Sequence, residues 1–230
     1  MALDDLLETL FRAELGNASR VLDGGRDRDT AVKLTMGAGA RADRTFLPVL
    51  RDVACGPGCS FCCHGVRVDV TAPEALTLAR GFRETLSPAD LKTLRSRVNE
   101  HAARVRGSSV RERYRAGLPC VLLDVASGRC AVHEARPMRC RAHHSLDANE
   151  CEAAVRHPDE ARTVTRHPEV LDAHEAMIRG QKEALAGAGL DARAFDLSLA
   201  LAVALEEEDA AERWANGEPV FDGAVFHPPP

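Results

Sequence analysis

The stretch CGPGCSFCC, residues 55–63, places four cysteines within nine residues, and the last two of them are adjacent. A lone cysteine in a protein is usually a small buried hydrophobic residue. Four thiols at this density rarely arise by chance, and thiolates are soft donors that suit zinc, copper(I) and iron-sulfur clusters. We therefore interpret the stretch as a metal-binding loop around which the rest of the chain is arranged.

The sequence GPG at 56–58 predicts a tight turn, because glycine permits backbone angles closed to other residues and Pro57 stiffens the bend. If a helix begins near Cys59, then Cys59, Cys62 and Cys63 lie at i, i+3 and i+4 on its first turn. A helix N-terminus also favours a thiolate over a thiol. Cys62 and Cys63 cannot easily bind one ion together, so one of them is a spare or serves a second site.

Further donors must come from the second half of the chain, where cysteines recur about every ten residues. That segment predicts a hairpin and a turn, which bury little apolar surface and are often held by metal. We expect the two groups of cysteines to meet, either around one cluster with spare thiols or in two four-ligand sites. Cys151, the farthest from the rest, has the strongest case for being a buried hydrophobic residue instead. The candidate metal ligands are Cys55, Cys59, Cys62, Cys63, Cys120, Cys130, Cys140 and Cys151.

Polar residues close to these cysteines have supporting roles in this interpretation. His64 is predicted to lie behind the ligands and to donate a hydrogen bond towards a sulfur. His143 and His144 are possible ligands, although a surface or supporting role is the simpler one. Glu134 and Arg136 flank Cys130 and Cys140; they form a local ion pair, tune the charge of the site or contact a substrate.

Composition bounds the class of protein. The chain has 230 residues, 45% hydrophobic and 28% charged, which is typical of a folded globular protein. A net charge of −5 and aromatic residues at 4% give no support to nucleic-acid binding. The N-terminus lacks the basic start of a signal peptide, and no apolar run is long enough to span a membrane. We predict a cytoplasmic protein, in which clustered cysteines indicate metal or redox chemistry rather than disulfides.

The periodicity of the chain predicts a mainly α fold, a helical bundle with a small cysteine-rich hairpin and loop region that encloses a metal site. We expect a single domain over 1–230, with N-terminal helices in 1–54, a cysteine-cluster core in 55–151 and C-terminal helices in 152–230. Apolar residues three and four apart indicate the first helix from Leu3 onward. A second helix is predicted from about 28 to 50, with Leu47 among its buried residues.

Two helix starts inside the core are well marked. Thr71 with Glu74 forms a capping box, and Ser87 stands before a proline as the cap of the next helix. We expect these two helices to form an antiparallel pair inserted in the core. A hairpin follows over about 120–130, and Pro137 opens a helical turn that carries Cys140.

The alternation of Val66, Val68 and Val70 predicts a short extended segment between the cysteine loop and the first of these helices. Two helices are predicted after the core, from Glu169 to Ala186 and from Phe195 to about Trp214. The terminal HPPP, residues 227–230, cannot extend a helix and is expected to be loose.

The motifs CGPGCSFCCHG, LPC and CAVHEARPMRCR together resemble the YkgJ-like cysteine-cluster proteins, which are described as having a zinc- or iron-chelating domain. Two departures occur: His133 stands where the family has tyrosine, and Cys120 is preceded rather than followed by proline. Neither removes a sulfur, so the resemblance implies metal chelation by the thiolates. It covers Cys55 to about Cys151. The positions that match the family's pattern are Cys55, Cys59, Cys62, Cys63, Cys130, Arg136, Pro137, Cys140 and Arg141.

Three functions remain open on the sequence alone. The first, which we favour because eight cysteines exceed the four that one zinc ion needs, is binding of an iron-sulfur cluster or iron. The second is a structural zinc module whose helices bind an unidentified protein partner. The third is a redox or group-transfer enzyme that uses the cluster as cofactor. No spacing of serine, histidine and aspartate marks an ordinary acid-base or nucleophilic site.

Overall fold

The computed structural model describes residues 2–65, 67–160 and 162–225. Helices predominate, which confirms the predicted mainly α class. The α-helices are α1 (Leu3–Asp23), α2 (Thr30–Phe46), α3 (Ala72–Thr85), α4 (Pro88–Val105), α5 (Val110–Ala116), α6 (Met138–Ala142), α7 (Ala148–Arg156), α8 (Pro168–Gly187), α9 (Leu197–Glu206) and α10 (Ala210–Ala215). Two antiparallel two-stranded sheets join β1 (Asp69–Val70) to β4 (Phe195–Asp196), and β2 (Leu123–Asp124) to β3 (Arg129–Cys130).

The N-terminal helix α1 packs along α8, so the first helix contacts a helix that follows the cysteine-rich segment. Gly180 allows this approach, because a Cβ there would collide with the carbonyl oxygen of Phe11. At the same place the buried carboxylate of Glu14 accepts two hydrogen bonds from Arg41 of α2, at 2.6 and 2.7 Å. Close backbone packing and a paired charge therefore join α1, α2 and α8.

The main apolar core is built around α9, whose residues Leu201 and Leu205 are fully buried. Both α3 and α4 pack against α9. The prediction that α3 and α4 pack on each other as an antiparallel pair is therefore wrong. The more apolar α9 lies against both helices instead. Burial of Leu47 was also a wrong prediction: its exposed fraction is 60%, since α2 ends at Phe46.

The single helix predicted from Phe195 to Trp214 is instead a strand followed by two helices. Phe195 and Asp196 pair with β1, and the Asp196 carboxylate then caps α9 by accepting from the Ser198 amide at 2.9 Å. At the other end of α9, Arg83 of α3 donates to the carbonyl oxygens of Ala204 (2.6 Å), Leu205 and Glu207. The Arg83 side chain thus satisfies backbone carbonyl oxygens that would accept from backbone amides if α9 continued. The helix ends there, and α10 begins as a separate helix.

The capped starts of α3 and α4 confirm the predictions made for them, as do the hairpin and the turn of helix after Pro137. The extended segment is confirmed at Val70, whereas Val66 lies outside the described residues. So does the terminal HPPP. In the part of the chain that the structure describes, no helix combines the length and apolar character needed to cross a membrane.

Candidate metal centre

The cysteine loop begins with a turn and ends in a single 3-10 turn, Phe61–Cys63. The amide of Cys59 donates to the carbonyl oxygen of Gly56 at 3.0 Å, which closes the first bend. The predicted helix starting near Cys59 is wrong. Only the single 3-10 turn forms, and the chain is already extended at His64. The Gly65 amide donates to Leu118 at 2.9 Å, and the Cys120 amide donates to Cys63 at 2.6 Å.

Glycine is required at position 65, where the chain leaves the 3-10 turn. Its φ is +79°, and a Cβ there would lie 2.6 Å from the Cα atom of Tyr114 in α5. The close approach lets the segment that holds Cys62 and Cys63 pair with the segment that holds Cys120. Backbone contacts between distant parts of the chain therefore replace the helix that local spacing favoured.

The hairpin of β2 and β3 carries the next thiols. Leu123 pairs with Cys130, and the Leu123 amide donates to the carbonyl oxygen of Cys120 at 2.9 Å. The hairpin turn lies on the glycine-rich bend of the cysteine loop: Gly128 has φ +68°, and a Cβ on it would be 2.5 Å from the carbonyl oxygen of Gly58. Two glycines thus set the distance between the loop and the hairpin.

Replacing Gly128 with alanine is expected to separate the hairpin from the loop and to reduce metal uptake. Gly107 is a matched control, since its φ is +72° but a Cβ there would meet nothing within 4 Å. Both alanine variants carry the cost of a left-handed backbone, while only Gly128→Ala also carries the clash, about 1–3 kcal/mol. The measurements are urea unfolding and bound metal per chain. Equal stability and equal metal content in the two variants would contradict this contact.

Helix α6, which carries Cys140, is anchored by the capping residue of another helix. One carboxylate oxygen of Glu74 accepts from the backbone and side chain of Thr71, and the other accepts from the Met138 amide at 2.7 Å. Glu74 is buried, and burial raises the pKa of its carboxyl group. The capping box predicted from sequence therefore also positions the first residue of α6, a role that the sequence did not indicate.

Helix α7 brings the last cysteine to the loop. It packs against the 3-10 turn Phe61–Cys63 and carries Cys151 on its first turn. The segment before it is tied to the start of the loop, because the Ala54 amide donates to Ser145 at 2.8 Å. Contact between α7 and the loop places Cys151 with the other cysteines, which favours a ligand role over a role in the apolar core.

All eight cysteines are free thiols, and their charges influence one another. A hydrogen bond from the Cys63 thiol lowers the pKa of Cys62, while the same bond raises the pKa of Cys63. Burial raises the pKa of Cys120 to about 11, and burial together with the charges of Cys120, Cys130 and Cys62 raises the pKa of Cys140. The pair at the end of the loop therefore consists of one easily ionised thiol and one that stays protonated.

The effect of one thiolate's charge on the pKa of another thiol also indicates which thiols lie close together. The pKa of Cys55 is raised first by burial and then by the charges of Cys59, Cys62 and Cys151. No group of three or more histidine, cysteine or acidic side chains among the described residues is arranged to hold a metal ion. The fold thus brings the cysteine-bearing segments together without closing a coordination shell, and side-chain rotation would have to complete one.

The histidines next to the cysteines differ in what they can do. His144 is buried with both ring nitrogens engaged: Nδ1 donates to the Ala142 carbonyl and Nε2 accepts from the His167 amide, both at 2.9 Å. It has no free nitrogen for a metal. Burial lowers the pKa of His143 to about 4, so its ring is neutral near pH 7. The supporting role of His64 stays a prediction.

The predicted ion pair of Glu134 and Arg136 is replaced by contacts through His133. Arg136 donates to the His133 ring, while the Glu134 carboxylate lies 3.3 Å from the Nδ1 atom of the same ring. Sequence reasoning missed Arg166, whose charge acts on Cys62 and His143. Its Nε atom is buried and makes no hydrogen bond within the described residues. No motif marks this arginine, because it follows the cysteines by fifteen residues and meets them only in the fold.

Sulfur donors on a glycine-bent loop, a hairpin and two short helices define a class, the cysteine-cluster chelating domains. Residues 54–159 match the family CxxCxxCC, described as "Putative zinc- or iron-chelating domain". This match covers somewhat less than half of the chain; it confirms the resemblance found in the motifs and supports metal binding. All eight cysteines lie inside the matched range. No curated protein and no solved structure matches the chain.

Proposed function

We propose that this protein binds an iron-sulfur cluster through its clustered cysteine thiolates. The observation that carries the proposal is the donor set: eight free thiols lie on adjoining segments, and the buried His144 has both ring nitrogens occupied. Cysteine thiolates are the usual ligands of iron-sulfur clusters, whereas zinc sites often include histidine nitrogen among their four donors. A donor set made of thiols therefore favours the cluster.

The charge of the surroundings supports the same function. Thiolate ligands give a bound cluster a negative charge, and nearby cations and hydrogen bonds to sulfur adjust its reduction potential. Arg166 supplies a positive charge that acts on Cys62, and its buried Nε atom has no hydrogen-bond partner in the described chain. When bound, the cluster would supply one-electron chemistry. The proposal also places the protein in the cytoplasm, where thiols remain reduced.

The test is to purify the full chain without oxygen, record its visible absorption, and measure iron, acid-labile sulfide and zinc. We expect a coloured protein that contains iron and sulfide in equal amounts. Stoichiometric zinc in a colourless protein would contradict the cluster and select a structural zinc site. A folded protein without any metal would contradict metal binding by this chain.

A pair of variants in one helix locates the metal. Cys140→Ser removes a thiol from α6 and is expected to lower iron and sulfide content. Met138→Leu changes a buried residue of the same helix with little change in volume and is expected to keep both. Similar metal loss in both variants would attribute the effect to the packing of α6 and not to its thiol.

A further inference from the structure

Arg141 follows Cys140 in α6, and its side chain is buried, with an exposed fraction of 6%. A buried guanidinium group needs a partner for its charge and acceptors for its N–H groups. Every nitrogen of this group has one: Nε donates to the Arg136 carbonyl oxygen at 3.1 Å, Nη2 to that of Glu134, and Nη1 to the Asp43 carboxylate at 2.5 Å. One side chain therefore holds three segments of the chain together.

The two carbonyl oxygens belong to the segment that links two candidate ligands. Cys130 ends β3, and the 3-10 turn His133–Ala135 begins three residues later. Arg141 ties this turn back to α6, so Cys130 and Cys140 stand at the two ends of a loop that is closed by hydrogen bonds across its middle. Arg141 therefore limits how far the backbone at Cys130 can move from the backbone at Cys140.

Helix α2 completes this arrangement. Its Asp43 supplies the carboxylate, and Gly39, one turn earlier, leaves room for the guanidinium group. A Cβ on Gly39 would lie 3.0 Å from the Cζ and Nη2 atoms of Arg141. Both residues precede 54–159, the range that matches the family. A helix outside the matched range therefore supports a side chain next to a candidate ligand.

The three acceptors are suited to arginine and not to lysine. Arginine presents five donors in a rigid planar fork, whereas lysine carries a compact ammonium group on a flexible stem. A lysine at position 141 would keep the positive charge but could not satisfy acceptors spread around a planar group. Arg139, on the other side of Cys140, makes a single ion pair with Glu175, and the exposed fractions of these two side chains are 46% and 39%. It provides a control in the same helix.

We infer that Arg141 is a positioning residue of the metal centre. Its guanidinium group holds the backbone of Cys140 against that of Cys130 so that the two thiolates bind metal together, and Asp43 and Gly39 of α2 keep that group in place. The inference deepens the proposed function and rests on it only in that these two thiols bind metal. Groups that support ligands from behind typically change metal affinity by about 10–100-fold when they are replaced.

Two matched pairs of variants of the full chain test this role. Arg141→Lys is compared with Arg139→Lys, because each keeps the charge of an arginine next to Cys140. Gly39→Ala is compared with Gly81→Ala, a helical glycine whose added Cβ would meet nothing within 4 Å. Alanine favours a helix over glycine in both, so only the pressure on the Arg141 guanidinium group distinguishes this second pair.

Each chain is stripped of metal under reducing conditions and titrated with Co²⁺, whose thiolate charge-transfer absorption reports the sulfurs bound per ion. Circular dichroism and urea unfolding of the metal-free chains report the fold separately. A purely structural role would lower the free energy of unfolding but leave the Co²⁺ affinity of the folded chain and the absorption per bound ion unchanged.

We expect Arg141→Lys and Gly39→Ala to bind Co²⁺ about 10–100-fold more weakly than their controls and with less thiolate absorption per ion. An affinity and absorption equal to those of the control in either pair would overturn the inference. If Arg141→Lys does not fold, the glycine pair decides alone. A wild-type chain that takes up no Co²⁺ would overturn the inference together with metal binding, whereas a protein purified with zinc instead of a cluster contradicts only the proposed function.

Discussion

Replacing Asp196 with alanine is expected to lower the free energy of unfolding by about 3–5 kcal/mol, because it leaves the charge of Arg113 buried without its partner. The exposed fractions of the two side chains are 3% and 8%. Arg113 keeps its bonds to the Ser108 hydroxyl and the Val105 carbonyl, but neither carries a charge. Because Arg113 belongs to α5, which Gly65 contacts, metal uptake should fall as well.

Two further variants separate the causes of this loss. Asp196→Asn keeps an acceptor for the Ser198 amide at the start of α9 and removes only the charge, so it should be more stable than the alanine variant by about 0.5–2 kcal/mol. Arg156→Ala removes an exposed ion pair with Glu152 and should cost roughly 0.3–0.5 kcal/mol. Chemical denaturation measures all three. A loss for Asp196→Ala as small as that for Arg156→Ala would show that the buried pair contributes little.

Replacing Glu74 with alanine is expected to lower the free energy of unfolding by about 2–4 kcal/mol and to reduce metal content. The change leaves the buried amides of Thr71 and Met138 without an acceptor, at about 1–3 kcal/mol each. Burial raises the pKa of Glu74, so removing the charged carboxylate relieves part of this cost. Metal content should fall because the Met138 amide is the contact that holds the first residue of α6, two positions before Cys140.

The chain provides a second capping box as a control. Glu112 accepts from Ser109 at the start of α5 in the same arrangement, but it is exposed to solvent. Glu112→Ala should cost less stability than Glu74→Ala, because water can replace the lost carboxylate, and should leave the metal content unchanged. If the two variants lose equal stability and both keep their metal, then Glu74 acts only as a helix cap and does not position α6.

Local patterns predicted a large part of this fold. Capping at Thr71 and Ser87, the hairpin with its turn at Gly128, and the short helix after Pro137 depend on interactions within a few residues, so the sequence alone is sufficient for them. The eight candidate ligands were identified from sequence for a similar reason: thiol chemistry and spacing are properties of the residues themselves. The assignment of those thiols to a metal stays a prediction that the experiments above test.

Where prediction from sequence was wrong, contacts between distant segments decide the outcome. The cysteine loop forms a 3-10 turn instead of a helix because Gly65 and Cys63 bond to the segment before the hairpin. The helix after Asp196 ends early because Arg83, more than one hundred residues away, takes its last carbonyl oxygens. Helices α3 and α4 lie on α9 because it is the most apolar surface available to both.

The sequence by itself determined the chemistry of this protein: eight thiols, a glycine-bent loop, and helices whose starts are marked by their own caps. Only the tertiary structure decided which cysteine-bearing segments are neighbours, because Gly65 and Cys63 bond to the segment before the hairpin while α7 packs on the turn that holds Cys62 and Cys63. Residue types and short-range spacing specify donors and local turns. The grouping of those donors depends on the packing of α6, α7 and the hairpin against the loop, which involves residues that no local pattern relates.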